Sequence, residues 1–224
     1  MVTGSTGTMT RKAALKLHIG CGSTVVEGWE NIDKSPGVEL AKIPGLRPLL
    51  ARLRILTQEQ ADATFPSGIV RADVRRGLKY PTASVGYVYS SHLIEHMSRW
   101  QGLELLTECA RVLVPGGVIR IATPDLADVI ASYGRTGDGM TAADTFMQGL
   151  GTFVEASGSR AQRLARRLAT APHQWLYDAE SLTRLLLEAG FEDVRARGYL
   201  ESELPDIESL EIRRESLFVE ARRP

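Results

Sequence analysis

The sequence predicts an α/β fold built on an open, mostly parallel sheet. Three observations carry that prediction. Short apolar stretches at strand periodicity alternate with amphipathic stretches at helical spacing. The first strand, Leu15 to Gly20, alternates Leu15, Leu17 and Ile19 with Lys16 and His18 and runs straight into Gly20-Cys21-Gly22. Bare backbone can approach a ligand there, because no Cβ intervenes. The next two strands each end on an acid, Asp33 and Asp73, and ligands of open α/β sheets bind at such strand ends.

The elements follow in order. Gly22 to Gly28 is too short for an ordinary parallel crossover, which takes about a dozen residues, so the first helix is reduced to a turn. The second strand is Trp29 to Asp33. Ser35-Pro36-Gly37 breaks the chain, and Val38 to Thr64 carries Leu46, Leu49, Leu50, Leu53 and Leu56 at helical spacing, cut by Pro44 and Pro48. Gly68 to Asp73 is the third strand and Val85 to Ser91 the fourth. Trp100 to Leu113 is an amphipathic helix with Leu103, Leu106, Ala110 and Leu113 on one face. Val114-Pro115-Gly116-Gly117 ends it. Val118 to Ala122 is the fifth strand, and Asp125 opens a further helix. Thr136 to Ala171 reads as an insertion, either a lid or a homodimer contact. Asp178 caps a helix that ends at Ala189 and Gly190. Phe191 to Tyr199 and Ser216 to Arg222 are the last strands, and their succession without a helix predicts an antiparallel end.

At 224 residues the chain can bury a sizeable core. The expected organisation is a flexible tail over 1–12 and one domain over 13–224, with insertions at about 36–67 and 136–171. Zero formal net charge implies no general attraction to nucleic acid or membrane. Two basic clusters, Arg160 to Arg167 and Arg213-Arg214, read as solvated helix faces rather than polyanion patches. Cys21 and Cys109 are too few for a disulfide scaffold or a zinc site, which fits a reducing, cytoplasmic setting. No apolar run approaches the roughly 20 residues of a membrane span. Met1 to Thr10 has no apolar core and is not a signal peptide.

Gly20-x-Gly22 lacks the third glycine of a dinucleotide fingerprint; Val25 stands there, and no helix has room to follow. A pyrophosphate would lose its helix N-terminus, which argues for a nucleoside ligand without phosphates. Asp33 is placed to accept hydrogen bonds from a ribose diol. Asp73 with Val74 is placed to receive an adenine, carboxylate to the exocyclic amine and backbone N–H to a ring nitrogen.

Six stretches, LHIGCG, NID, RAD, YVYSSHLIEHM, LLTECARVLVPGGVIRIATPD and LLLEAGF, together resemble the class I S-adenosylmethionine-dependent methyltransferases. The likeness runs from about Leu15 to the C-terminus, outside Pro36 to Ser67 and Thr136 to Ala171. It implies a Rossmann-like, seven-stranded, mostly parallel sheet with the last strand antiparallel and helices on both faces. The cofactor it implies is S-adenosylmethionine, with S-adenosylhomocysteine as product. His18, Gly20, Cys21, Gly22, Asp33, Asp73, Val74, Ser90, Ser91 and His92 would hold it. The tail, HQWLYDAESLTRLLLEAGF through SLFVEARR, is similar to small sugar O-methyltransferases of polysaccharide biosynthesis, those that methylate the 1-hydroxyl in methylmannose polysaccharide synthesis among them. A small saccharide is the substrate that likeness implies.

His92-Leu93-Ile94-Glu95-His96 also matches H-x-x-E-H, a zinc-hydrolase pattern. That motif needs both histidines on one long helix, whereas here it follows a strand directly. In methyltransferases this junction faces the sulfonium and the acceptor. Methyl transfer to oxygen is an in-line displacement, and a sugar hydroxyl needs a general base. Histidine suits that task near neutral pH. Among His18, His92, His96 and His173, His96 is the first candidate and His173 the second; His18 reads as packing behind the cofactor. Glu95 and Asp125 are candidates to orient a histidine or bind a sugar hydroxyl, with helix capping the competing role for Asp125. Trp29, Trp100 and Trp175 are candidate stacking faces, though most are expected in the core. No metal ligand set is assigned. Four alternatives stay open: a carboxylate or nitrogen acceptor, a divalent ion that orients a diol, a binding module without turnover, and the zinc hydrolase.

Overall fold

The computed structural model describes residues 14–34, 43, 45–52, 67–134, 139–152 and 171–224. The predicted tail, most of the 36–67 insertion and the stretch Arg160 to Arg167 lie outside them. Seven strands form one sheet: β1 (Leu15–Ile19), β2 (Glu30–Asp33), β3 (Ile69–Arg71), β4 (Val85–Ser91), β5 (Leu113–Thr123), β6 (Glu192–Arg197) and β7 (Leu217–Arg222), in the order β3-β2-β1-β4-β5-β7-β6. The pairings from β3 across to β5 are all parallel. β7 pairs antiparallel with both β5 and β6, as expected, although the chain between β6 and β7 is not helix-free: it carries one short helix at Ile207–Leu210.

Alternation along the strands sorts side chains to two faces. Leu17, Ile19, Val88, Ile119 and Ile121 pack into the larger core with α2 (Arg99–Val112) and α5 (Ala179–Glu188). Their strand neighbours Tyr89 and Val118 face the other way, against Val26, Trp29, Leu204 and Leu210. That second face is covered by loops and the short α6 (Ile207–Leu210). Both long helices start on reciprocal caps, Ser98 with Gln101 and Asp178 with Ser181, which satisfy backbone donors that have no partner inside the helix.

The described part of the first insertion contains α1 (Leu46–Arg52). It runs through Pro48, which the sequence reading took as a break. Pro48 is the third helical residue, where an N–H would have no intrahelical acceptor. α3 (Leu126–Ala131) starts at Asp125, and α4 (Ala142–Leu150) lies in the second insertion. β5 begins at Leu113, directly after α2, not at Val118. Pro115-Gly116-Gly117 is a register break inside this strand, between the pairs Val85↔Leu113 and Tyr87↔Val118, not a linker before it. No helix among the described residues is long and apolar enough to cross a membrane.

Candidate active site

The strand order reverses between β1 and β4, the place where open α/β sheets bind ligands at the carboxyl ends of their strands. A cavity of about 600 Å³ opens there, lined by residues 20–24, Asp33, Lys34, Ser91 to Leu93, His96, Ala171 and the segment around Ile212, with His18 beneath. A larger cavity of about 1200 Å³ lies at the opposite ends of the strands. Its two charged lining residues among those described, Glu203 and Arg222, are hydrogen-bonded to each other.

One half of the smaller cavity is built from a single stretch of chain. The N–H groups of Gly20 and Cys21 both donate to the Ile32 carbonyl, at 2.8 and 3.1 Å, which staples the turn to the end of β2. Gly20 has φ +70°, and a Cβ there would come within 2.9 Å of the Leu93 Cβ. Only glycine lets the turn after β1 pass the turn after β4 this closely. The Gly22 N–H donates to Asp33 Oδ2 at 2.9 Å, so the acid at the tip of β2 closes the loop. Below them, Asn31 donates from its amide nitrogen to the Val26 and Trp29 carbonyls. Its Oδ1 therefore faces His18 Nδ1 at 3.2 Å, and that ring nitrogen must carry the hydrogen. Burial pushes the His18 pKa down to about 4, so the ring is neutral near pH 7. Burial also raises the Cys21 thiol to about 12, which keeps it protonated.

The other half is assembled across the sequence. His92 directly follows β4 with φ +49°, a conformation that costs a non-glycine residue and collects at functional sites. Its Nε2 meets Ser216 Oγ at 3.0 Å, and its Nδ1 lies 3.2 Å from Glu95 Oε1. Ile94–His96 is one turn of 3-10 helix, so His92 and His96 do not share a helix face and the zinc-hydrolase arrangement does not form. Glu95 is fully buried; its Oε2 accepts from Thr123 at 3.4 Å and its backbone carbonyl accepts from Gln174 and Trp175. Those last bonds bring His173 beside His96, with ring centroids 5.0 Å apart. His96 Nδ1 faces the Pro172 carbonyl at 3.4 Å and His173 Nδ1 the Leu150 carbonyl at 2.9 Å. A carbonyl only accepts, so both Nδ1 atoms carry hydrogen and both Nε2 atoms keep a lone pair. Burial lowers the His173 pKa, the nearby Glu95 carboxylate opposing it. Gly151 makes room for His173: a Cβ there would lie 2.2 Å from Nδ1, at φ +62°.

A family model described as "Methyltransferase domain" matches residues 17–196. The chain belongs to that family. A probable S-adenosylmethionine-dependent methyltransferase of Mycolicibacterium smegmatis is 42% identical over 59 residues, which is 25% of this chain and 22% of the relative. The chain thus matches less than a quarter of that relative's length. Among solved structures, a methyltransferase from Mesorhizobium loti is similar over 94% of this chain and 91% of its own, at 20% identity and TM-score 0.47. PigF, solved with S-adenosylhomocysteine, is similar over 94% of this chain and 50% of its own, at 14% identity and TM-score 0.48.

Of the residues the sequence singled out, the methyltransferase domain brings His18, Gly20, Cys21, Gly22, Asp33, Ser91, His92 and His96 to one cavity. Glu95 and His173 stand behind His96. Ser90 is buried in β4 beside that wall. Asp73 and Val74 lie off the lining, at a 3-10 turn that Asp73 caps. Arg75 grips the Asp73 carboxylate through Nε and Nη2, at 2.9 and 2.7 Å, and holds it well below the usual carboxylate range. Asp125 caps α3, accepting from the Ala127 N–H at 2.9 Å. Of the tryptophans, only Trp29 is in the core; Trp100 and Trp175 are 66% and 46% exposed.

The sequence reading missed Lys34, Leu210, Ile212 and Arg213, all on the cavity wall. Arg213 is not on a solvated helix face, as expected of the Arg213-Arg214 pair, because α6 ends before it. Arg214 instead lies over the Tyr199 ring. The wall is anchored by Glu211, whose carboxylate takes the fully buried Arg120 guanidinium and the Leu200 N–H. A buried acid inside Glu211-Ile212-Arg213-Arg214 leaves no sequence signal, since that composition reads as solvated.

Proposed function

We propose that this protein transfers the methyl group of S-adenosylmethionine to a hydroxyl of a small saccharide. The observation that carries the reading is that Asp33 and His96 line the same cavity, one suited to a ribose and the other to an acceptor proton. The ribose diol donates to Asp33 and the methionine portion crosses the Gly20–Gly22 turn. The adenine runs toward Asp73 and Val74 at the end of β3, with Lys34, 3.5 Å from the Asp73 carboxylate, between the two acids.

The acceptor oxygen attacks the methyl carbon in line with the carbon–sulfur bond. That bond breaks with its electron pair going to sulfur, which discharges the sulfonium and leaves S-adenosylhomocysteine. The hydroxyl proton passes to His96 Nε2, whose lone pair is available because Nδ1 is committed to the Pro172 carbonyl. The saccharide assignment draws on the resemblance of the C-terminal sequence, and Trp175, two residues along the chain from His173 and 46% exposed, is its candidate stacking face.

The test is transfer of isotope-labelled methyl from S-adenosylmethionine to a panel of small saccharides and of carboxylate- and amine-bearing metabolites. Label on a saccharide hydroxyl, lost in His96→Ala, supports the reading. Label only on a carboxylate, unchanged in His96→Ala, overturns it, because a carboxylate is already ionised and needs no base. Binding of S-adenosylhomocysteine without transfer to any acceptor would make the protein a binding module.

A further inference from the structure

We propose that Glu95, His96 and His173 form a binding site for a divalent transition-metal ion of the zinc class. This goes beyond the methyl-transfer reading and does not rest on it. One donor atom from each of the three residues lies within 4.8 Å of the others. Two imidazoles and one carboxylate make a donor set that suits zinc and its neighbours, whereas magnesium and calcium prefer all-oxygen sites.

Three further features point the same way. Both rings are tethered through Nδ1 to backbone carbonyls, Pro172 for His96 and Leu150 for His173. That is how ligating histidines are oriented and their tautomer fixed, leaving Nε2 for the ion. Glu95 Oε1 is fully buried and accepts no hydrogen bond among the described residues; its neighbour is the His92 ring nitrogen at 3.2 Å. With His92 neutral, that buried carboxylate oxygen lacks a well-aligned donor, which is costly, and a cation satisfies it. Gly151 is held at a position where any Cβ would collide with His173, so the second histidine is seated by the backbone of a distant segment.

Around a tetrahedral ion with bonds of about 2.1 Å the donors stand about 3.4 Å apart, so the three must close slightly. His96 can supply the movement, because it is half-buried and its Pro172 contact is long. His96 lines the cavity, so an ion held here would adjoin it. An ion at this site takes the His96 Nε2 lone pair. Metal loading and base catalysis by His96 therefore exclude each other.

The experiment is calorimetric titration of metal-stripped protein with zinc chloride, without S-adenosylmethionine, on the wild type, His96→Ala, His173→Ala, Glu95→Gln and Cys21→Ser. One equivalent should bind with micromolar or tighter affinity. Each of the three ligand substitutions should weaken it by about 100-fold or more, beyond the effect of losing an outer-shell partner. Cys21→Ser should bind as the wild type does, since Cys21 is not one of the three clustered donors. Melting curves taken without metal separate lost ligands from lost fold, and His96, half-buried, is the variant least exposed to that confusion. No stoichiometric binding, binding unaffected by all three substitutions, or binding abolished by Cys21→Ser would overturn the site. Titration with S-adenosylhomocysteine on the same samples reads the cofactor pocket separately, so the two readings can fail independently.

Discussion

The two halves of the cavity are made in opposite ways. The half we assign to the cofactor comes from residues 18–34, one strand, one tight turn and the next strand tip, closed by backbone bonds to Ile32 and by Gly22 on Asp33. The half we assign to catalysis joins a turn after β4 to a segment 78 residues away, through the Gln174 side chain on the His96 carbonyl and the Gln174 N–H on the Glu95 carbonyl. The lesson is about what can be perturbed alone. A change in the first half should move binding of the nucleoside and leave the base in place, and a change in the second should do the reverse.

The largest expected effect is on turnover. His96→Ala should lower methyl transfer by about 100-fold or more while S-adenosylhomocysteine affinity stays within about twofold; a rate profile against pH, taken with calorimetry, checks both. Wild-type turnover would move the base to His173.

Next comes a pH effect confined to the cofactor half. His18 titrates near 6.5 when unfolded and at about 4 when folded. Between those values the unfolded chain binds the proton first, so stability is full above pH 6.5 and falls as pH drops toward 4. The loss is about 3 kcal/mol, and urea unfolding across that range should show it. His18→Gln should flatten that part of the profile, and an unchanged slope would remove His18 from the account.

The smallest effect in this series sharpens the contrast from the far side. Gly151→Ala imposes a left-handed backbone on alanine and drives a methyl into the His173 ring. It should cost about 2 kcal/mol of stability and depress transfer through the displaced histidine, with S-adenosylhomocysteine affinity unchanged. A parallel loss of cofactor affinity would mean the halves are coupled.

The same contrast explains what the sequence made legible. β1, its Gly-x-Gly turn and Asp33 were readable because their signals are local: strand alternation, glycine where side chains must pass, an acid at a strand tip. Asp178 and Asp125 were readable as caps for the same reason. His96 and His173 were found by counting histidines, but their meeting depends on Glu95 taking two backbone donors from residues 174 and 175, which no local pattern announces. Asp73 is legible as an acid at a strand tip, but the grip of Arg75, two residues on, upon its carboxylate is not. Arg213 reached the wall unannounced because the Arg120–Glu211 pair beneath it is a long-range contact between charges that composition places in water.

The most direct measurement is a titration of S-adenosylhomocysteine into the wild type, Asp33→Ala and His96→Ala side by side. The division predicts micromolar binding by the wild type and by His96→Ala. For Asp33→Ala it predicts a loss of about 2–3 kcal/mol, the value of charge-assisted hydrogen bonds to a ribose. Equal affinity in all three proteins would contradict the assignment of Asp33, and with it the claim that residues 18–34 form the nucleoside half of the site.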